Sequence, residues 1–304
     1  MRLGVLDVGS NTVHLQIMDA HHGSAPLAFQ SFKEEIRLAE FLTEDNNLSS
    51  EGIETLLQTL NRLKNEAKDI QLDDMLAFAT SAIREAGNSE DVLAAVHKET
   101  GIDLEVLSGK DEARFTFLAV RRWVGWSAGD VVLLDIGGGS LEIATGDQEN
   151  PLYSNSVMLG ANRMTRQFLV GDPFSEKSLS KLREHVRMTL APLKSEIGDN
   201  SNRTAIGTSK TFRTLRRIQQ NFLPELGNSL TREGLKVIVP RLAKMTQTQR
   251  AALPGVSVSR SFQIVAGAIV AEETMAALGI EKLTQCPWAL REGIVLQRLD
   301  WLKS

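Results

Sequence analysis

Apolar residues change period along this chain, and each change marks a new element. Leu3-Gly4-Val5-Leu6 and Val131-Val132-Leu133-Leu134 are short apolar runs that close on an aspartate and then on glycine, which predicts a buried strand stopping in a tight turn. Alternation resumes past each turn, with Leu15, Ile17 and Met18 in the first copy and Leu141, Ile143 and Ala144 in the second, so each reads as a hairpin. Helical spacing takes over elsewhere. Ile53, Leu56, Leu57, Leu60, Leu63 and Ala67 predict a helix from about Ser50 to Lys68 with one core face. Further strands are expected at 27–37, 75–79, 104–107 and 154–159, with Cys286 to Trp288 a short strand or loop. Further helices are expected at about 88–100, 163–170, 176–197, 231–245 and 260–278, and a last one opens at Leu290. Strands alternating with helices point to an α/β protein.

The hairpin with an aspartate at its tip occurs twice, with Asp7 and Asp135 lying 128 positions apart. Two similar halves are therefore expected. Trp123 to Gly129 contains two glycines and no run of good strand or helix formers, which places the division so that the domains are 1–126 and 127–304.

Composition narrows the class. The 304 residues are 42% hydrophobic and 24% charged, as in ordinary globular proteins, and suffice for two substantial cores. No apolar run approaches a membrane span and the N-terminus enters a strand directly, so neither a membrane anchor nor a signal sequence is expected. Cys286 is the single cysteine, which excludes an internal disulfide framework and fits a cytoplasmic location. A net charge of −4 argues against nucleic acid as a partner, so any polyanion must meet a local basic groove.

Residue chemistry now has places to sit. Glycines allow backbone N–H groups to converge on an anion, phosphate being the obvious one. Asp135 and Glu142 bracket the Gly137-Gly138-Gly139-Ser140 turn with oxygen ligands that suit a hard cation such as Mg²⁺ on phosphate. A hairpin without any ligand is the alternative for either copy alone. Thr80 to Arg84 puts hydroxyls and an arginine at a strand's carboxyl end, where open α/β sheets bind ligands. Ser108 and Asp111 have capping-box spacing, which leaves Glu112 without that structural job; it either overhangs a cleft or complements the helix dipole. Gly207-Thr208-Ser209-Lys210 repeats the theme of a strand breaking into a hydroxyl-rich helix start, and Arg213, Arg216 and Arg217 follow at helical spacing. With Lys210 they form either a solvated basic face or a polyanion track. The five histidines show no zinc spacing.

Taken together, Asp7-Val8-Gly9-Ser10-Asn11-Thr12, Ala79-Thr80-Ser81-Ala82-Ile83-Arg84, Ser108 to Arg114, Asp135 to Glu142, Gly207-Thr208-Ser209 and Leu290-Arg291-Glu292-Gly293 resemble the motifs of the exopolyphosphatase and guanosine pentaphosphate phosphatase (Ppx/GppA) family. The resemblance spans essentially the whole chain. It implies two ribonuclease-H-like domains of the actin, sugar kinase and chaperone ATPase superfold, with the active site in an interdomain cleft. By position, Glu112 resembles the family's catalytic glutamate. Asp135 and Glu142 resemble its metal-site acids, with Asp7 in support. Ser10, Asn11, Thr12 and the Gly137 to Ser140 turn resemble its phosphate loops, and Arg84 its phosphate-holding arginine. Leu141 departs from the pattern, standing where a hydroxyl residue is frequent. The implied activity is removal of terminal phosphate from inorganic polyphosphate with Mg²⁺, or alternatively Mn²⁺, by a cytoplasmic homodimer. A guanosine pentaphosphate phosphohydrolase and a non-catalytic sensor of guanosine penta- or tetraphosphate or another nucleotide are the competing readings.

Overall fold

A computed structural model describes residues 1–302, in two compact units: Met1–Phe115 with the chain from Leu290 onward, and Thr116–Ala289. The division expected at 126/127 is thus corrected at both ends. Helical periodicity runs on through Trp123 into a helix ending at Val124, so no linker forms there. The last helix returns to the first unit because its apolar residues Leu290, Val295 and Leu299 complete a cluster with Leu3, Val5, Met18 and Phe78.

The first unit holds strands β1 (Arg2–Val8), β2 (Thr12–Asp19) and β3 (Leu27–Glu35), helix α1 (Ser50–Glu66), β4 (Asp74–Ala79), the short α2 (Ser81–Arg84), α3 (Ser89–Thr100), β5 (Glu105–Val106) and the first turns of α4 (Gly109–Val124). Its sheet order is β3-β2-β1-β4-β5, antiparallel among β1 to β3 and parallel from β1 through β5. Period-2 alternation explains why β1 is buried on both sides. Leu6 and Val8 face α1 and α3 through Leu56, Leu60, Val92 and Val96, while Leu3 and Val5 face the C-terminal helix.

The second unit continues with β6 (Val131–Ile136), β7 (Leu141–Gly146), β8 (Tyr153–Val157), α5 (Ala161–Phe168), α6 (Glu176–Ile197), β9 (Thr204–Gly207), α7 (Ser209–Phe222), β10 (Leu230–Thr231), α8 (Arg232–Lys244), α9 (Gln247–Ala251), α10 (Val258–Ala277) and β11 (Lys282–Gln285); α11 (Leu290–Trp301) closes the described chain in the first unit. The sheet order is β8-β7-β6-β9-β11-β10, with β6 to β8 antiparallel and β6, β9 and β11 parallel. Apart from the added β10, this repeats the strand order and directions of the first unit. The protein is therefore α/β, with the duplicated ribonuclease-H-like arrangement of the actin-like superfold.

Small residues let α10 run through the middle of the second core, where Ile264 to Ala271 are all buried. A Cβ on Gly267 would come within 2.7 Å of the Thr211 methyl and 3.3 Å of Ala161, so α5 and α7 both reach this helix closely. Cys286 is buried beside Phe117 and Val131 and behaves as a small packed hydrophobe. Among the described residues no helix is long and apolar enough to cross a membrane.

Candidate active site

The tip of the first hairpin closes with Gly9 N–H donating to the Thr12 carbonyl at 3.0 Å. The second closes identically, Gly137 N–H to the Ser140 carbonyl at 2.9 Å. None of Gly9, Gly137, Gly138 and Gly139 takes positive φ, so these glycines are used for close approach rather than for conformational freedom. The crowding is at α5. A Cβ on Gly160 would lie 2.2 Å from the Gly139 carbonyl carbon and 2.4 Å from that of Gly138.

That packing orients the second tip. The carbonyls of Gly137, Gly138 and Gly139 accept from Ala161, Asn162, Arg163 and Gly160 N–H at the start of α5, and Arg163 Nε adds a bond to the Gly139 carbonyl at 3.0 Å. In a trans peptide the C=O and the next N–H point opposite ways. The N–H groups of Gly138, Gly139 and Ser140 are therefore turned away from α5, which leaves them available to an anion. The first tip is clamped by the chain after β3: the Asn11 carbonyl accepts from Ile36 and Arg37 N–H at 3.1 Å, and the Ser10 carbonyl from Ala39. Ser10 is buried, and its hydroxyl meets that of Ser81 at 2.7 Å, joining the tip to α2.

Asp135 and Glu142 are direct partners across the β6–β7 ladder, so their side chains stand on one face as neighbours. Thr208 Oγ1 donates to Asp135 at 2.5 Å and Ser156 Oγ to Glu142 at 2.8 Å, and Glu142 is buried. Ser209, which follows, opens α7 at φ +61°, a left-handed conformation uncommon for a residue with a side chain and typical of functional sites. No group of three or more His, Cys, Asp or Glu placed to hold a metal occurs among the described residues. A hard cation on phosphate needs less, because one or two carboxylates suffice when substrate oxygens and water complete the shell. The Asp135–Glu142 pair fits that requirement.

In the first unit, Asp7 faces His14 across the ladder, and Arg291 from α11 reaches both. Arg291 Nη1 lies 3.4 Å from Asp7 Oδ2 and 2.5 Å from His14 Nδ1. Burial pushes the Asp7 carboxyl above the usual range, opposed by the charges of Arg291 and Lys33 and reinforced by Glu292. Asp7 thus meets a guanidinium, which makes it a poorer cation ligand than the pair at the second tip. Arg84 and Glu112 come together: Arg84 Nη1 donates to Glu112 Oε2 at 2.9 Å and to the Leu107 carbonyl at 3.0 Å, with Glu85 at 3.8 Å from Nη2. Both side chains are largely buried. Ser108 accepts from Asp111 N–H and donates to its carboxylate, so Asp111 is taken up by the helix start, as its spacing predicted.

The basic face on α7 is less open than its spacing suggested. Arg216 donates to Gln285 and Gln220, both at 2.9 Å, and Arg217 lies against Gly255, whereas Lys210 and Arg217 are exposed and Arg213 half-buried. Reading the sequence assigned no role to Arg291, His14 or Ser156. His14 had a signal: it lies 128 positions before Glu142, as Asp7 does before Asp135. Arg291 and Asp7, 284 positions apart, had none beyond the motif.

The match to the Ppx/GppA phosphatase family covers residues 17–302. The chain belongs to that family. An exopolyphosphatase 1 from Mycobacterium tuberculosis is 47% identical over 305 residues, covering 99% of this chain and 89% of the relative, and one from Mycobacterium leprae is 45% identical over a similar span. Among solved structures, an exopolyphosphatase from Cytophaga hutchinsonii superposes with a TM-score of 0.87 at 26% identity, covering 99% of this chain and 98% of that one. The Ppx/GppA member from Aquifex aeolicus reaches 0.81 at 25% identity, with 100% and 99% covered.

Proposed function

We propose that this protein is an exopolyphosphatase, a phosphoric anhydride hydrolase that releases orthophosphate from the end of inorganic polyphosphate. The observation that carries the reading is the pairing of Asp135 with Glu142 beside a triglycine turn whose carbonyls are taken up by α5, in a chain 47% identical to named exopolyphosphatases. Anion-binding amides next to adjacent carboxylates make chemical sense where a cation and a phosphate are bound together.

Glu112 is the general base in this reading. It takes the proton of a water whose oxygen forms the new bond to the terminal phosphorus, while the bridging P–O bond breaks and the shortened chain leaves with the electron pair. Arg84 orients the Glu112 carboxylate through the bond described above. The amides of Gly138, Gly139 and Ser140, with those of the Ser10 to Thr12 tip, hold phosphate oxygens. Asp135 and Glu142 would hold a divalent cation, Mg²⁺ first and Mn²⁺ second, which when bound offsets phosphate charge. The exposed Lys210 and Arg217, with Arg213, form the track for a longer chain, and a cytoplasmic homodimer completes the reading.

The test is phosphate release from short polyphosphate, long polyphosphate and guanosine pentaphosphate in parallel, each with and without Mg²⁺. Release from polyphosphate that requires the cation is expected. Faster release from guanosine pentaphosphate would make the protein an alarmone phosphatase, and ligand binding without turnover would make it a sensor. Charge reversal at Lys210 should weaken long chains more than short ones.

A further inference from the structure

Arginine carries five N–H donors in a rigid fork, and a buried donor left unmatched is costly. The two arginines near the first tip use theirs differently. Arg84 is matched by Glu112, the Leu107 carbonyl and the nearby Glu85, so its charge is balanced by two carboxylates. Arg291 makes its described bonds through Nη1 alone, to Asp7 and His14. Its Nε is buried without a hydrogen-bond partner, and Nη2 makes no hydrogen bond among the described residues. The two N–H donors of Nη2 are therefore the ones left for an acceptor.

The side chain is also held in place. Leu290, Val295 and Leu299 anchor α11 in the core, and Gly293 sits so tightly on α4 that a Cβ there would be 1.9 Å from the Phe115 carbonyl oxygen. His14, which shares Nη1, is fixed from its other side by Ser31 Oγ at 2.6 Å from Nε2. Because a guanidinium only donates, His14 Nδ1 is the accepting nitrogen here. A pre-positioned guanidinium whose Nη2 is unmatched and not buried offers two N–H donors and a fixed charge to phosphate oxygens.

We propose that Arg291 is a substrate-binding residue of the first unit, gripping phosphate oxygens through Nη2 while Asp7 and His14 hold Nη1. The proposal rests on the polyphosphatase reading above for the identity of the substrate. It assigns the free grip to Arg291 and leaves Arg84 to orient Glu112.

The experiment compares the wild type with Arg291→Lys and Arg291→Gln in two assays. In the first, inorganic tripolyphosphate is added to the metal-free protein in chelator and the rise in melting temperature is read. The wild type should rise, and both variants should lose most of that rise while still melting cooperatively. In the second, kcat and KM for phosphate release from polyphosphate are measured, with and without added guanidinium ion. Arg291→Lys should lose about 10-fold or more in kcat/KM although it keeps the charge, and Arg291→Gln about 10²-fold, with partial recovery by guanidinium. Should Arg291→Gln fail to fold, Arg291→Lys decides. Tripolyphosphate protection undiminished in a folded variant, or kcat/KM within twofold of wild type for Arg291→Lys, overturns the proposal. A wild type that is protected by tripolyphosphate but releases no phosphate sinks the enzymatic reading alone, and the protection assay still decides on Arg291.

Discussion

In the hairpin at Asp7 the residue opposite the aspartate is His14, and in the hairpin at Asp135 it is Glu142, at the same offset of 128. Both tips close with one amide-to-carbonyl bond, and both are held from behind through their carbonyls. The chemistry in front differs. At the first tip the aspartate meets a guanidinium and an imidazole, and at the second it meets a hydroxyl and stands beside a second carboxylate. A shared backbone thus stands beside a guanidinium in one unit and presents paired carboxylates in the other. The lesson is that the two halves share the backbone of the loop, while one side chain across the ladder changes the chemistry beside it.

The largest effect expected is at Glu112, the proposed base. Glu112→Gln keeps the shape and a bond acceptor for Arg84 but cannot take a proton, so phosphate release should fall by about 10²–10⁴ with the fold intact. Full activity in a folded variant would remove Glu112 from that role. Next comes Glu142→His, which gives the second tip the chemistry of the first. Activity should drop by about 10²-fold and respond less steeply to Mg²⁺, read from release rates over a cation titration; an unchanged titration would mean that the paired carboxylates do not hold the cation.

A third comparison separates the two ways of clamping a tip. In Gly160→Ala the added methyl meets the Gly138 and Gly139 peptide, a backbone contact that cannot swing aside, and about 1–3 kcal/mol of stability should be lost. In Gly9→Ala the nearest atom is the Thr12 carbonyl oxygen at 3.4 Å, and the loss should be smaller. Thermal unfolding of the pair gives the order, and equal losses would contradict it. The smallest effect concerns Asp7. Its raised pKa means that the folded state favours the protonated carboxyl, so this group stabilises the fold least above its folded pKa and its penalty vanishes below the unfolded carboxylate range. Asp7→Asn should therefore melt slightly higher than wild type at neutral pH, and the gap should close as pH falls towards 4, about the unfolded value; a gap that widens on acidification would reverse the assignment.

Much of this was legible before any coordinates. Apolar runs ending in Asp and Gly located both hairpins, and helical spacing placed α6 at Glu176–Ile197 as expected. The Arg84–Glu112 pair was read as two separate functions, because side chains on different elements cannot be paired from spacing alone. The basic face of α7 was read as uniform, and packing divided it, pinning Arg216 on two glutamines. No glycine of either tip takes positive φ, and only the fold shows that Gly160 is there for close contact.

The amino-acid order by itself determined the local elements, the duplicated plan and the identity of the groups at each tip, since periodicity and turn chemistry act between residues close in the chain. Tertiary structure alone decided that α11 belongs to the first unit, that Gly160 clamps Gly138 and Gly139, and that Arg291 reaches Asp7 and His14. Those outcomes depend on which apolar faces find one another across long stretches of chain, and burial is non-directional, so no local pattern records the partner.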